Sequence, residues 1–134
     1  MPTESEVDEP SYPIEEIPNA DSLYMRIHKN YFQQDEIIPG TFKNHGEGMS
    51  TDWSKYSTPI ETQKRVELHK KNPNNYGVIS MNVGKVRQVD KQTVEHRPVI
   101  DNRGHTEVIG EKTTEARYHF LSIIKWEIAL ENKS

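Results

Sequence analysis

Six histidines and no cysteine among 134 residues set the range of chemistry open to this chain. His96 and His105 stand on either side of the turn-forming run Asp101-Asn102-Arg103-Gly104, with Asp90 and Glu95 close by. If the flanking segments pair as a hairpin, both imidazoles can project to one face beside a carboxylate, which suits zinc or another imidazole-binding ion. Against this, the separation of the two histidines matches no common ligand spacing, and no histidine pair has the i, i+4 spacing of a metalloprotease helix. No metal ligand is assigned. The same residue types also serve hydrolysis. His105 is then the candidate catalytic residue, a general base, with Asp101 or Glu107 orienting it and Arg103 or Arg26 holding an anion. The plainer reading of Asp101–Gly104 is a turn capped by its own side chains.

A second group begins at Arg26 and His28, which alternate with Leu23, Met25 and Ile27 and so point off the polar side of a strand. A third is Asn44-His45-Gly46-Glu47-Gly48-Met49-Ser50, whose glycines permit backbone shapes open to few other residues. It reads as a ligand loop or as a flexible connection. The candidate ligand-binding residues are therefore Arg26, His28, His45, Arg103 and His105. Arg26 suits an anion because it is permanently charged and donates two parallel hydrogen bonds to a carboxylate or phosphate.

Other chemistries are closed. Without cysteine there is no disulfide, thiolate metal site or cysteine nucleophile. Neither a glycine-rich dinucleotide fingerprint nor a glycine-lysine phosphate loop occurs, and no glycine-flanked serine marks a nucleophile elbow. No cofactor is implied. No apolar run approaches the ~18 residues of a membrane span, so no membrane partner is expected and a cytoplasmic location is the reading. The one cationic cluster, Lys64, Arg65, His69, Lys70 and Lys71, is a weak footprint for nucleic acid, which is not the expected partner.

The elements that must position these residues follow from pattern. Apolar residues make up 32% of the chain and the net charge is −4, a composition that supports a small core. Residues 1–21 hold half of the eight prolines and the acidic run from Glu4 to Glu16, and read as a disordered leader. Residues 22–134 read as a single domain. Ser22–His28 is its first strand. Lys29–Tyr56 is long, polar and irregular, pinned by Phe32, Phe42 and Trp53. A segment of that length in a compact domain usually covers or forms a site.

Thr58-Pro59-Ile60-Glu61 combines a cap, a first-turn proline and a reciprocal acid, and starts a helix from Pro59 to about Lys71. Tyr76–Val83 reads as a strand and Gly84–Gln88 as one helical turn. Thr93–Ile100 is an edge strand because of Pro98, and His105–Ile109 is another strand. Apolar residues at helical spacing from Ala116 to Leu130 predict a helix over Thr114–Glu131.

Several short motifs stand in order along these elements: Leu23-Tyr24-x-Arg26-Ile27, Met49-Ser50-Thr51-Asp52-Trp53, Thr58-Pro59-x-Glu61-Thr62, Gly77-Val78-x-Ser80, and His105-x-x-Val108-Ile109-Gly110-x-Lys112-Thr113. Together with Phe42 they resemble a family of small prokaryotic proteins known as hypothetical proteins. The resemblance spans roughly residues 22–115 and implies no activity, cofactor or substrate.

The expected fold is α+β, a small mixed or antiparallel sheet covered by a C-terminal helix, with a long irregular segment after strand one. The leading functional reading is a small binding or accessory domain acting through a protein partner or a small anionic ligand. Its alternative is a compact hydrolase or nuclease-like enzyme, metal-assisted or not, centred on His105. In both, the site lies between the polar face of strand one and Lys29–Tyr56, with His105 contributing.

Overall fold

The computed structural model describes residues 12–130. Its strands are β1 (Ser22–His28), β2 (Phe32–Gln33), β3 (Glu36–Ile37), β4 (Gly48–Trp53), β5 (Tyr76–Asn82), β6 (Thr93–His96), β7 (His105–Ile109) and β8 (Ile124–Ile128). Six of them form one sheet in the order β6-β7-β4-β1-β5-β8, and β2 and β3 form a small separate hairpin. Every pairing is antiparallel. The helices are α1 (Pro59–Lys64), α2 (Val83–Arg87) and α3 (Thr114–Ile123). No helix among the described residues is long and apolar enough to cross a membrane. The fold is α+β, as the sequence pattern predicts.

Alternation in β1 decides the two faces of the sheet. Leu23, Met25 and Ile27 are buried, and their register partners on β5 are Met81, Ile79 and Gly77. With Met49 and Trp53 of β4 and Val108 of β7 they make the main apolar layer. Ala116 and Phe120 of α3 and Val83 and Val86 of α2 close it, and Phe42 stacks on Phe120 with ring centres 5.3 Å apart. At Gly77 an added Cβ would lie 2.7 Å from the Ile128 carbonyl oxygen. Glycine there lets β8 approach β5.

The opposite face carries Tyr24, Arg26 and His28 of β1, Ser50 and Asp52 of β4, and His105 and Glu107 of β7. Its roof is α1 and the 3₁₀ turn Arg65–His69 that continues it. The predicted helix start is present in full: Thr58 accepts from the Glu61 amide, and the Glu61 carboxylate accepts from the Thr58 amide. Lys70, in the left-handed region at φ 59°, ends the turn.

The edge strand read over Thr93–Ile100 ends at His96, and the helix read from Pro59 to about Lys71 is α-helical to Lys64 and 3₁₀ to His69. Three further segments differ more from the sequence reading. Within Lys29–Tyr56, where that reading places no strand, Gly48–Trp53 enters the centre of the sheet as β4. Met49, Thr51 and Trp53 face the core, while the polar residues between them face the roof and mask the alternation. The helix expected over Thr114–Glu131 ends at Ile123, and Ile124–Ile128 is edge strand β8. Ile124, Trp126 and Ile128 alternate with Lys125 and Glu127, a period-2 pattern whose β-branched and aromatic residues favour a strand.

The third difference concerns the leader. Residues 1–11 lie outside the described residues, whereas 12–21 lie along the body. Ile17 is 3% exposed and belongs to the core. Glu15 pairs with Lys55 at 2.7 Å and accepts from the Tyr56 hydroxyl, and its amide donates to His96 Nδ1 at 3.0 Å. One buried isoleucine and these polar contacts hold a segment that composition alone assigns to disorder.

Candidate functional site

Asp52 is the centre of the polar face. It is 4% exposed and fully used by its neighbours. One oxygen accepts from Thr62 Oγ1 at 2.8 Å and Arg65 Nη1 at 2.6 Å, and the other from Asn102 Nδ2 at 2.7 Å. Ser57 Oγ completes the group, 3.0 Å from Thr62 Oγ1 and 3.2 Å from Arg65 Nη1. A buried carboxylate is stable only when paired and hydrogen-bonded in this way. Thr62 and Arg65 reach it together because residues three apart share a helix face.

Arg26 is the contrasting group. Its Nη1 donates to the Thr62 carbonyl at 2.8 Å, and it has no ion-pair partner among the described residues. Burial holds it below its ordinary pKa; Asp52 opposes the shift and Arg65 adds to it. A half-buried guanidinium with one carbonyl acceptor and open donors is a place where an anion would be stabilised.

β1 and β4 explain why there is room beside it. They pair at Leu23↔Trp53 and Tyr24↔Asp52 and then part, whereas β1 follows β5 down to His28↔Tyr76. The fork opens a cavity of about 380 Å³, whose lining includes Arg26, His28, Lys43, His45, His69 and Lys71 and contains no carboxylate. Tyr31 and Tyr76 also line it. Glu47 and Glu95 pair with Arg97 at 2.7 and 2.9 Å, and Asp52, whose charge acts on Arg26, is held by Arg65 at 2.6 Å. His28 accepts from the Asn30 amide through Nδ1 at 3.0 Å and packs edge-on against Tyr76. Burial, then Lys29 and Lys71, hold its pKa below the ordinary value. In neutral form it keeps Nε2–H as a donor.

A second cavity, of about 430 Å³, adjoins the first and shares Arg26, Ser50 and His69 with it. His105, Asp101, Asn102 and Arg65 line it, together with Tyr24, Leu68 and Val99. His105 Nε2 lies 3.4 Å from Glu107 Oε2.

Of the residues singled out from sequence, the structure gathers Arg26, His28 and His45 at the first cavity, and Arg26 with His105 at the second. Arg103 stands apart. Its guanidinium lies over the Tyr56 ring at 4.4 Å and within 3.9 Å of Glu15, because the turn before His105 faces the docked leader. The proposed pairing of His96 with His105 on one face does not occur. His96 is the register partner of Thr106, so His105, one residue away, points to the other face. His96 is 3% exposed, with Nε2 2.7 Å from the Arg103 carbonyl oxygen. Among the described residues no three metal-binding side chains converge.

Lys43, Asp52, Thr62, Arg65, His69 and Lys71 were not singled out as site residues. For most of them a signal existed: Thr62, Arg65 and His69 recur at helical spacing behind a strong capping sequence, and Arg65, His69 and Lys71 belong to the cationic cluster. Lys43 carries none, and Asp52, although it stands in the motif Met49–Trp53, carries nothing that marks it as a site residue.

No family model, curated protein or solved structure matches this chain.

Proposed function

We propose that the protein is a small binding domain that takes an anionic ligand in the fork between β1 and β4. The observation that carries this reading is a concave surface with three permanent cations, three histidines and no carboxylate in its lining. Arg26 would hold the anion with its open donors, and Lys43 and Lys71 would add charge at the rim. The half-buried position of Arg26 strengthens each such interaction relative to water. Nuclear magnetic resonance titration with inorganic phosphate, sulfate, citrate and succinate tests it. At least one should shift Arg26 and His28 at millimolar concentration, and Arg26→Met should weaken that ligand by about tenfold or more, the loss expected when a charge-assisted contact is removed. If none of the anions shifts either residue, the reading falls.

A second reading rests on its own observation. His105, in contact with Glu107, shares a cavity with Arg26 and Asp101, which are the parts of a metal-free hydrolase: base, orienting carboxylate and anion holder. Hydrolysis of a chromogenic phosphate diester or monoester that disappears in His105→Ala would favour the enzyme over the binding domain. No turnover above that of the variant favours the binding domain.

A further inference from the structure

We infer that the ligand is a nucleoside phosphate, its phosphate in the fork beside Arg26 and its sugar and base in the adjoining cavity. This rests on the anion reading and goes beyond it by assigning the other half of the molecule.

The argument begins with continuity. Arg26, Ser50 and His69 belong to both cavities, so an anion seated on Arg26 has the second space next to it. Each cavity alone is within the ~300–1,000 Å³ typical of small-molecule sites, and a bare phosphate would fill neither.

Charge then separates the two ends. In the fork the permanently charged side chains are all cations, Arg26, Lys43 and Lys71. In the second cavity Arg65 is already neutralised by Asp52 at 2.6 Å, while Asp101 is exposed and has no cationic partner among the described residues. A second anionic group placed there would face an unpaired carboxylate. A hydrogen-bond donor would instead find the Asp101 carboxylate, while the buried Asn102 side chain beside it turns its oxygen to the Gly104 amide at 3.1 Å. Dicarboxylates and polyphosphates fit this asymmetry poorly, and a ligand with one anionic end and one uncharged, donor-bearing end fits it well.

Shape gives the last constraint. Few large apolar side chains are exposed among the described residues, and two of them, Leu68 at 59% and Val99 at 47%, line this cavity together with Tyr24. They come from separate elements, the roof turn and the segment after β6. Apolar and aromatic surface beside hydrogen-bond acceptors is what a planar heterocycle with exocyclic amino or ring N–H groups needs, since such rings gain from contact on their faces and from hydrogen bonds at their edges. A sugar phosphate without a base would leave Leu68 and Val99 unused.

The experiment is a calorimetric comparison of the full chain with the four nucleoside 5′-monophosphates, ribose 5-phosphate, inorganic phosphate and adenosine. At least one monophosphate should bind about 30-fold or more tighter than inorganic phosphate, a gain of about 2 kcal/mol. Ribose 5-phosphate should fall well short of it. Asp101→Ala should cut the monophosphate toward the affinity of phosphate and leave phosphate itself unchanged, and Leu68→Ser should do the same by a separate route. Arg26→Met should weaken both ligands. If phosphate binds and no monophosphate exceeds it by more than about threefold, the nucleoside assignment is overturned while the anion reading stands. If neither binds, the anion reading falls as well. If a monophosphate gains affinity that neither Asp101→Ala nor Leu68→Ser reduces, the placement of the ring is overturned. A 5′-phosphorylated trinucleotide distinguishes a free nucleotide from a chain terminus: weaker binding than the monomer assigns the free form, and tighter binding assigns the terminus.

Discussion

Asp52 and Lys112 show how single buried charges are tolerated here, and each makes a different prediction. Asp52 accepts three hydrogen bonds, and its removal would leave Arg65 without its partner ion. Asp52→Ala should lower stability by about 3 kcal/mol, the low end for a broken buried pair because Arg65 keeps some contact with water. Urea unfolding measures it, and a loss under about 1 kcal/mol would contradict the network. Lys112 is 8% exposed and donates to Asn44 Oδ1, the Val108 carbonyl and the Gly110 carbonyl, with no carboxylate among them. Burial lowers its pKa from 10.5 to about 8. Between those values the unfolded chain binds more protons than the folded one, so stability gains from this group as pH rises through that window. Melting temperatures of the protein and of Lys112→Met, compared from pH 8 to pH 10.5, should diverge in favour of the unmutated chain. Parallel profiles would show that Lys112 is not the titrating group.

At the scale of elements, the roof depends on its first turn. α1 is short, six residues, and lends Thr62 and, through the turn after it, Arg65 and His69. Thr58→Ala removes one side of the capping box and should cost about 1 kcal/mol. It should also weaken any ligand held by Arg26, because Arg26 donates to the Thr62 carbonyl; denaturation and titration of the same variant check both. This start was legible in sequence because capping uses local chemistry alone, and β1, β5 and β7 were legible because burial on one or both faces is written into their side chains. β4 was not, since Asp52 is satisfied by Thr62, Arg65 and Asn102, which only the tertiary fold brings to it. The end of α3 was not either: apolar residues from Ala116 to Leu130 fit a helical stripe as well as the alternation of Ile124–Ile128 fits a strand, and the open edge of β5 decides between them. The site shows the same division. Arg26 and His28 are visible from alternation in one strand, whereas the company they keep comes from a roof whose placement is a tertiary fact.

At the scale of the molecule, the body begins before its first strand. Ile17→Ala in the full chain should destabilise by about 2 kcal/mol or more, the usual cost of truncating a buried aliphatic side chain, and an unchanged unfolding midpoint would mean that residues 12–21 do not dock. The sheet itself consists of two three-stranded halves, β6-β7-β4 and β1-β5-β8, joined by the two pairs Leu23↔Trp53 and Tyr24↔Asp52. Below that joint the halves share no ladder, and above the sheet the Asp52 contacts to Thr62 and Arg65 act as a clasp, tying β4 to a roof seated on β1 and β5. Such a joint is the natural place for sub-global opening. Backbone amides on the β4-facing side of Arg26–His28 should exchange with deuterium faster than those facing β5. Bound anion should slow them, since a ligand touching both halves must be released before they part. Uniform exchange across β1 would contradict this. The fork would then work in both directions: the seam that makes room for a ligand is also the part of the sheet whose rigidity the ligand supplies.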